Sequence, residues 1–209
     1  MADSRVCIRP VADLEQLSVV EGLMAQELDD WANSWRGASF FRARFPDDAD
    51  LMLTAEEAGT VIGGLLAHTD QSGASIDGLA VVPARRHTGV GRALLETLES
   101  HAGARGLEEI ALGASEAAVG FYRHCGFKAS VLIQFPPAVG DPEPRIAGLL
   151  AGPLAGRQVH RAQFRSAAQL IVNVEADDDP LVSLLRSQHP VLHTGFLVRK
   201  RLHPTGPRV

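Results

Sequence analysis

Apolar positions recur along the first 135 residues with two different periods, and the switches between them mark the elements. Residues 6–9 form a short apolar strand ended by Pro10. Across residues 12–35, Leu14, Leu17, Val20, Met24, Leu28 and Trp31 return at intervals of three and four. That spacing predicts an amphipathic helix, in one piece or two. Residues 51–55 and 60–68 are apolar runs joined by Glu-Glu-Ala-Gly, the pattern of a hairpin. A second turn at 70–74 leads into a strand over 75–82.

Helical spacing returns over 91–104, with Ala93, Leu94, Leu98 and Ala102 on one face and Gly106 as a stop. A strand at 109–113, a short helix at 115–125 broken by Gly126, and a strand at 127–135 complete the series. Residues 38–50, ASFFRARFPDDAD, mix aromatic and charged positions and read as a loop that packs over the core or faces a substrate. An antiparallel run followed by two strand–helix units predicts a mixed α/β layer rather than a doubly wound sheet.

The pattern changes at residues 136–144, PPAVGDPEP, which read as a linker. Beyond it, 146–155 is small and apolar, 159–164 and 169–174 are strand-like, 180–188 is helical, and 195–202 is a last strand. The order of elements over 169–202 weakly echoes that of 109–135. The simpler account is an α+β extension packed on the main sheet or on a second copy of the chain. The expected division is therefore a domain over 5–135, a linker over 136–145 and an extension over 146–203 that adds a strand to the main sheet or forms a homodimer interface.

With 209 residues, 45% of them apolar, the chain is long enough to bury a core. A net charge of −5 without a dominant basic stripe argues against a general nucleic-acid binder. Cys7 and Cys125 give neither a disulfide framework nor metal spacing, and the eight histidines show no ligand spacing, so no metal is expected. His189 and His193 stand four apart but straddle Pro190. The first residues lack a signal-peptide pattern and no apolar run approaches membrane-spanning length, so a cytoplasmic protein without a membrane partner is expected.

Candidate chemistry concentrates in residues 77–93, DGLAVVPARRHTGVGRA. A buried strand stops at Pro83, two arginines follow, and Gly89-Val90-Gly91 opens a helix. Glycines at a helix N-terminus let successive N–H groups converge on one anion, and the helix dipole adds partial positive charge. Arg86 adds a full charge. A dinucleotide fingerprint fails, because Leu94 stands where a third glycine or alanine belongs and seven residues separate Val81 from Gly89. The Gly-Lys-Ser/Thr triplet of a phosphate loop is missing from the sequence.

What remains is Val-x-Pro-x-x-Arg-x-x-Gly-x-Gly-x-Ala, met by Val81, Pro83, Arg86, Gly89, Gly91 and Ala93. Downstream, Ser115-x-x-Ala118-x-x-Phe121-Tyr122-x-x-x-Gly126-Phe127 follows at a second landmark's spacing. On these residues the chain resembles the GCN5-related N-acetyltransferase (GNAT) superfamily along most of 5–135. The resemblance implies a mixed, mostly antiparallel sheet flanked by helices, and acetyl-coenzyme A as co-substrate. It implies cofactor contacts from Arg86, His87, Thr88, Gly89, Val90, Gly91 and Arg92 at the pyrophosphate. The main chain of Ala80, Val81 and Val82 would meet the pantetheine arm as an added strand, with Ser115 and Phe121 also at the cofactor.

Asp77 holds the fourth-strand position of a frequent carboxylate base, and Tyr122 that of a general acid. Ser115 replaces the family's usual asparagine, which shortens the reach to pantetheine. His87 stands where relatives often carry glycine. Cys125 reads as a packed helix-end residue rather than a nucleophile, although His124 adjoins it. The implied activity is N-acetylation of a primary amine, on a small molecule or a protein, by direct attack in a ternary complex. The alternative is a catalytically silent coenzyme A-binding module. Asp47 and Asp48 are candidates for attracting a cationic acceptor, against a plain solvated loop.

Overall fold

A computed structural model of the chain describes residues 5–28, 38–70, 73–164, 166–174 and 179–202. It divides into two compact units, Met1–Ala111 with Arg201–Val209, and Leu112–Lys200. The division falls inside a strand, well before the expected boundary at residue 135. None of the described helices is long and apolar enough to cross a membrane.

The first unit contains β1 (Cys7–Pro10), α1 (Leu14–Glu27), α2 (Ala38–Asp48), β2 (Met52–Glu57), β3 (Thr60–Asp70), β4 (Gly73–Val81), α3 (Val90–Ala104) and the start of β5 (Glu109–Ala114). The strands lie in the order β1-β2-β3-β4-β5. All neighbours are antiparallel except β4 and β5. The β2–β3 hairpin turns through Ala58 (φ +49°) and Gly59 (φ +77°), and two positive φ values in a two-residue loop match the right-handed twist of the strands.

Asp13 caps α1 by accepting from the Gln16 N–H at 2.8 Å, while the Gln16 side chain takes the Ala12 N–H. Leu17, Val20, Leu23 and Met24 of α1 are buried. Leu14, expected on that face, is the first helical residue and is 42% exposed. Trp31 lies outside the described residues. Adjacent strand residues point to opposite faces, and Gly63 and Gly64 show which helix covers each. A Cβ on Gly64 would come 2.6 Å from Val20 Cγ1 of α1, and one on Gly63 would meet Val90 Cγ1 of α3 at 3.3 Å. So α1 covers one face and α3 the other.

Residues 38–48 are helical, which corrects the loop expected there. Phe41 is wholly buried and Phe40 and Phe45 pack on the same cluster. The last residue of α2, Asp48, is 2% exposed and accepts from the Thr69 N–H, the Thr69 hydroxyl and Arg105. These tertiary bonds hold a helix whose composition is poor in helix formers and which carries Pro46 in its last turn. They also account for Asp48, which is a structural acceptor rather than a residue of a solvated loop.

The second unit contains the end of β5, α4 (Glu116–His124), β6 (Lys128–Phe135), α5 (Glu143–Ala151), β7 (Val159–Phe164), β8 (Ala167–Asn173), α6 (Asp179–Gln188) and β9 (His193–Arg201). β6 lies between β9 and β8, and β7 pairs with the far side of β8, all antiparallel. Both neighbours of β6 therefore come from beyond residue 145. Residues expected as a linker form a short turn at Pro137–Val139 and the first turn of α5. The core gathers Val131, Ile133, Phe135, Leu149, Leu170, Val172, Leu185, Phe196 and Val198.

Candidate active site

β4 pairs with β5 only through Ala74↔Ile110 and Ser75↔Ala111. On its other side it runs along β3 from Gly63↔Val81 to Asp70↔Gly73. Just past that ladder the Val82 N–H donates to the Ile62 carbonyl at 2.9 Å. Hydrogen-bonded pairs alternate in an antiparallel ladder, so Ala80 turns its polar groups towards Gly64 and Gly78 towards Leu66. The groups facing the edge that β5 leaves are those of Leu79 and Val81. Of the three main-chain positions expected at this edge, Val81 faces it, while Ala80 and the Val82 N–H face β3. Leu79 joins Val81, and no side-chain pattern marks it.

The chain leaves β4 through Pro83–Arg85, and Arg85 is tied to Glu57 of β2. The Thr88 hydroxyl donates to the Arg85 carbonyl at 2.7 Å. His87 sits at φ +62°, which explains why glycine suits that position. Gly89 is the N-cap of α3 at φ +94°, and no side chain caps the helix. The N–H groups of the first turn, from Val90 to Arg92, have no helical acceptor and share the positive end of the dipole. Arg86, His87, Thr88 and Gly89 are all exposed. Arg86 donates from Nε to the Val81 carbonyl at 3.0 Å and from Nη2 to Glu27 Oε2 of α1 at 2.6 Å. This cluster offers a cation and undonated N–H groups beside an open strand edge, which fits an anionic ligand with an amide-bearing arm.

Asp77 is the extra residue of a bulge in β4, since Leu66 faces Gly78 and Ala67 faces Ile76. Bulges re-aim a side chain. The Asp77 carboxylate meets His68 of β3, with Nδ1 to Oδ2 at 2.7 Å and the two side chains 5% and 9% exposed for His68 and Asp77. An ionised carboxylate only accepts, so the proton between them is on Nδ1. The His68 ring stands nearly perpendicular to Phe40, centroids 5.1 Å apart. His68 was not singled out in the sequence. Its signal is a histidine inside an apolar strand, facing an aspartate across a hairpin whose bulge cannot be counted in advance.

In the second unit, Ser115 is the N-cap of α4, exposed, and makes no side-chain cap bond. Phe121 is 37% exposed and Tyr122 6%. The Tyr122 ring packs against Phe121 and Phe127 at 5.1 and 5.6 Å. Burial, with a smaller contribution from Cys125, pushes its phenol well above the ordinary value near 10, so it keeps its proton at neutral pH. The Cys125 carbonyl accepts from Lys200 Nζ at 2.8 Å, and His124 Nδ1 contacts the Gly120 carbonyl at 2.6 Å. Cys125 is thus a helix-end residue whose neighbouring imidazole is engaged elsewhere. Among the described residues, no group of three or more His, Cys, Asp or Glu is placed to hold a metal ion.

Residues 18–127 match the family model described as Acetyltransferase (GNAT) family. No curated protein matches the chain. Among solved structures, the ribosomal-protein-S18-alanine N-acetyltransferase of Escherichia coli aligns with a TM-score of 0.55 at 14% identity, over 98% of this chain and 99% of that one. The putative acetyltransferase yncA of Salmonella typhimurium, solved with acetyl-CoA, aligns with a TM-score of 0.52 at 14% identity, over 99% of both chains. N-acetylglutamate synthase of Neisseria gonorrhoeae, with coenzyme A and N-acetyl-glutamate, gives 0.51 at 16% identity over 83% of this chain and 36% of that one. At these identities the likeness is one of fold.

Proposed function

The chain belongs to the GNAT acetyltransferase family, and from that premise we propose that it moves the acetyl group of acetyl-coenzyme A to a primary amine by direct attack in a ternary complex. The observation that carries this reading is the uncapped start of α3 at Gly89, exposed and joined by Arg86 to an open edge of β4. A pyrophosphate takes the N–H groups of Val90, Gly91 and Arg92 and the neighbouring loop of His87 and Thr88. The amides of the pantetheine arm add to the β4 edge at Leu79 and Val81. Ser115 and Phe121 contribute a hydroxyl and an exposed ring.

An amine ordinarily titrates near 10, so it arrives as an ammonium and must lose a proton before its nitrogen can attack the thioester carbonyl. Asp77 supplies the base function. The C–N bond forms as the C–S bond breaks, and the departing thiolate takes a proton. Tyr122, held protonated by burial, is suited to donate it. With thioester and amine held in one complex, chemistry follows from positioning more than from an acyl-enzyme.

The test is thiol release from acetyl-coenzyme A with a panel of amines, run beside calorimetric binding of coenzyme A. Turnover with at least one amine supports the reading. Tight binding with no turnover of any amine would replace it with a silent coenzyme A-binding module, and absence of both would overturn it.

A further inference from the structure

Resting on that acetyltransfer reading, we propose that His68 and Asp77 act as one proton-accepting pair, with the amine's proton held on the imidazole of His68. The 2.7 Å contact places a proton on Nδ1 and makes Nε2 the basic atom of the ring. A carboxylate by itself ordinarily titrates near 3.9 and an imidazole near 6.5, so the imidazole is on the order of 400-fold the stronger base. A carboxylate against the other ring nitrogen stabilises the imidazolium once it forms. Side-chain exposures of 5% and 9% keep solvent from screening that attraction.

The surroundings hold the ring in place. Phe40 stands across it, and the Arg44 guanidinium lies 5.2 Å from the Phe40 centroid. Asp48 ties the end of the same helix to Thr69, the residue after His68. Charged groups on α1 and α2, two of the helices that pack against β3, include Glu21 of α1 and Arg42, Arg44 and Asp48 of α2. Burial raises the Glu21 carboxyl and Arg42 opposes the rise, while Arg44 and Asp48 lie 3.7 Å apart. Asp77 is the carboxylate that meets the ring itself.

The step balances. Of the two protons the ammonium loses, one passes to His68 and on to water. The other ends on the thiol, as the C–N bond forms and the sulfur leaves with the C–S electron pair.

His68→Gln keeps an N–H that can donate to Asp77 but cannot accept a proton. Thiol release would be measured with spermidine, glucosamine, tryptamine and triglycine for the wild type, His68→Gln and Asp77→Asn. The expected result for His68→Gln is a kcat lowered about 100- to 1,000-fold, with KM for acetyl-coenzyme A within about twofold. That loss should shrink at least about tenfold between pH 7 and pH 10, where the amine carries its own lone pair. A purely structural lesion would not recover in this way. Asp77→Asn keeps an acceptor for Nδ1–H but removes the charge, so its kcat should fall about tenfold or more and keep the wild-type cofactor KM. A kcat for His68→Gln within threefold of wild type, or a loss independent of pH, overturns the pair while the acetyltransfer reading stands. No thiol release by the wild type with any of the four amines overturns both.

Discussion

Gly89 is the position where the cofactor reading can be tested by a single methyl group. Its φ of +94° is a backbone conformation that costs a residue with a Cβ about 1–2 kcal/mol. A Cβ built there meets nothing within 4 Å, so Gly89→Ala creates no clash and its effect is purely conformational. Alanine also narrows the unfolded ensemble, which returns about 0.4–1 kcal/mol. The net loss is then at most about 1.6 kcal/mol, or a fall in Tm of up to about 6 °C for a chain of this size. Binding should suffer more than stability. The strain is relieved by rotating the N-cap, and that rotation turns the N–H groups of Val90, Gly91 and Arg92 away from their common focus. We expect coenzyme A binding, measured by calorimetry, to weaken at least tenfold, about 1.4 kcal/mol. Gly64→Ala is the contrasting control, because its Cβ would lie 2.6 Å from Val20 Cγ1 and it should damage stability without a specific binding defect. A Gly89→Ala protein with unchanged Tm and a Kd within twofold of wild type would refute both the conformational argument and the placement of the pyrophosphate.

Three further outcomes are expected. The Thr54 hydroxyl is buried without a hydrogen-bond partner among the described residues, so Thr54→Val should raise stability by about 1 kcal/mol in a denaturant titration; a loss of that size would mean the hydroxyl is satisfied in solution. Because burial raises the Tyr122 phenol, the folded state holds that proton more tightly than the unfolded chain. Its contribution is complete below about pH 10, and stability should fall above that by up to about 1.4 kcal/mol per pH unit, a slope that Tyr122→Phe should flatten. A chain ended at residue 145 loses both neighbours of β6 and uncovers Val131, Ile133 and Phe135, so it should show no cooperative melt of the second unit. Retention of the full-length Tm would contradict that strand order.

Local signals were legible wherever a short stretch determines its own conformation. The hairpin at Ala58-Gly59, the stop at Pro83, the glycine start of α3 and the spacing around Tyr122 depend on neighbours within a few residues. Strands β7 and β8, helix α6 and strand β9 were also readable from apolar runs bounded by turn residues. The α2 helix was not, because its formation depends on Asp48 reaching Thr69 and Arg105 across the fold. Likewise, Leu14 has the spacing of a buried residue yet is 42% exposed, while Leu23, outside that series, is buried.

The amino-acid pattern by itself determined that a glycine turn opening a helix follows a buried strand, and that an aspartate precedes it within that strand. It also marked a tyrosine helix downstream. Tertiary structure decided which groups those residues present. A one-residue bulge aims Asp77 at His68, and the ladder's alternation makes Leu79 and Val81, not Ala80 and Val82, the outward groups. Strand order places β8 and β9, from the last third of the chain, on the two sides of β6. The physical reason is common to all three. Side-chain spacing is written in local periodicity, but which edge of a strand stays open depends on register and partner choice, which are set by residues far away in the chain.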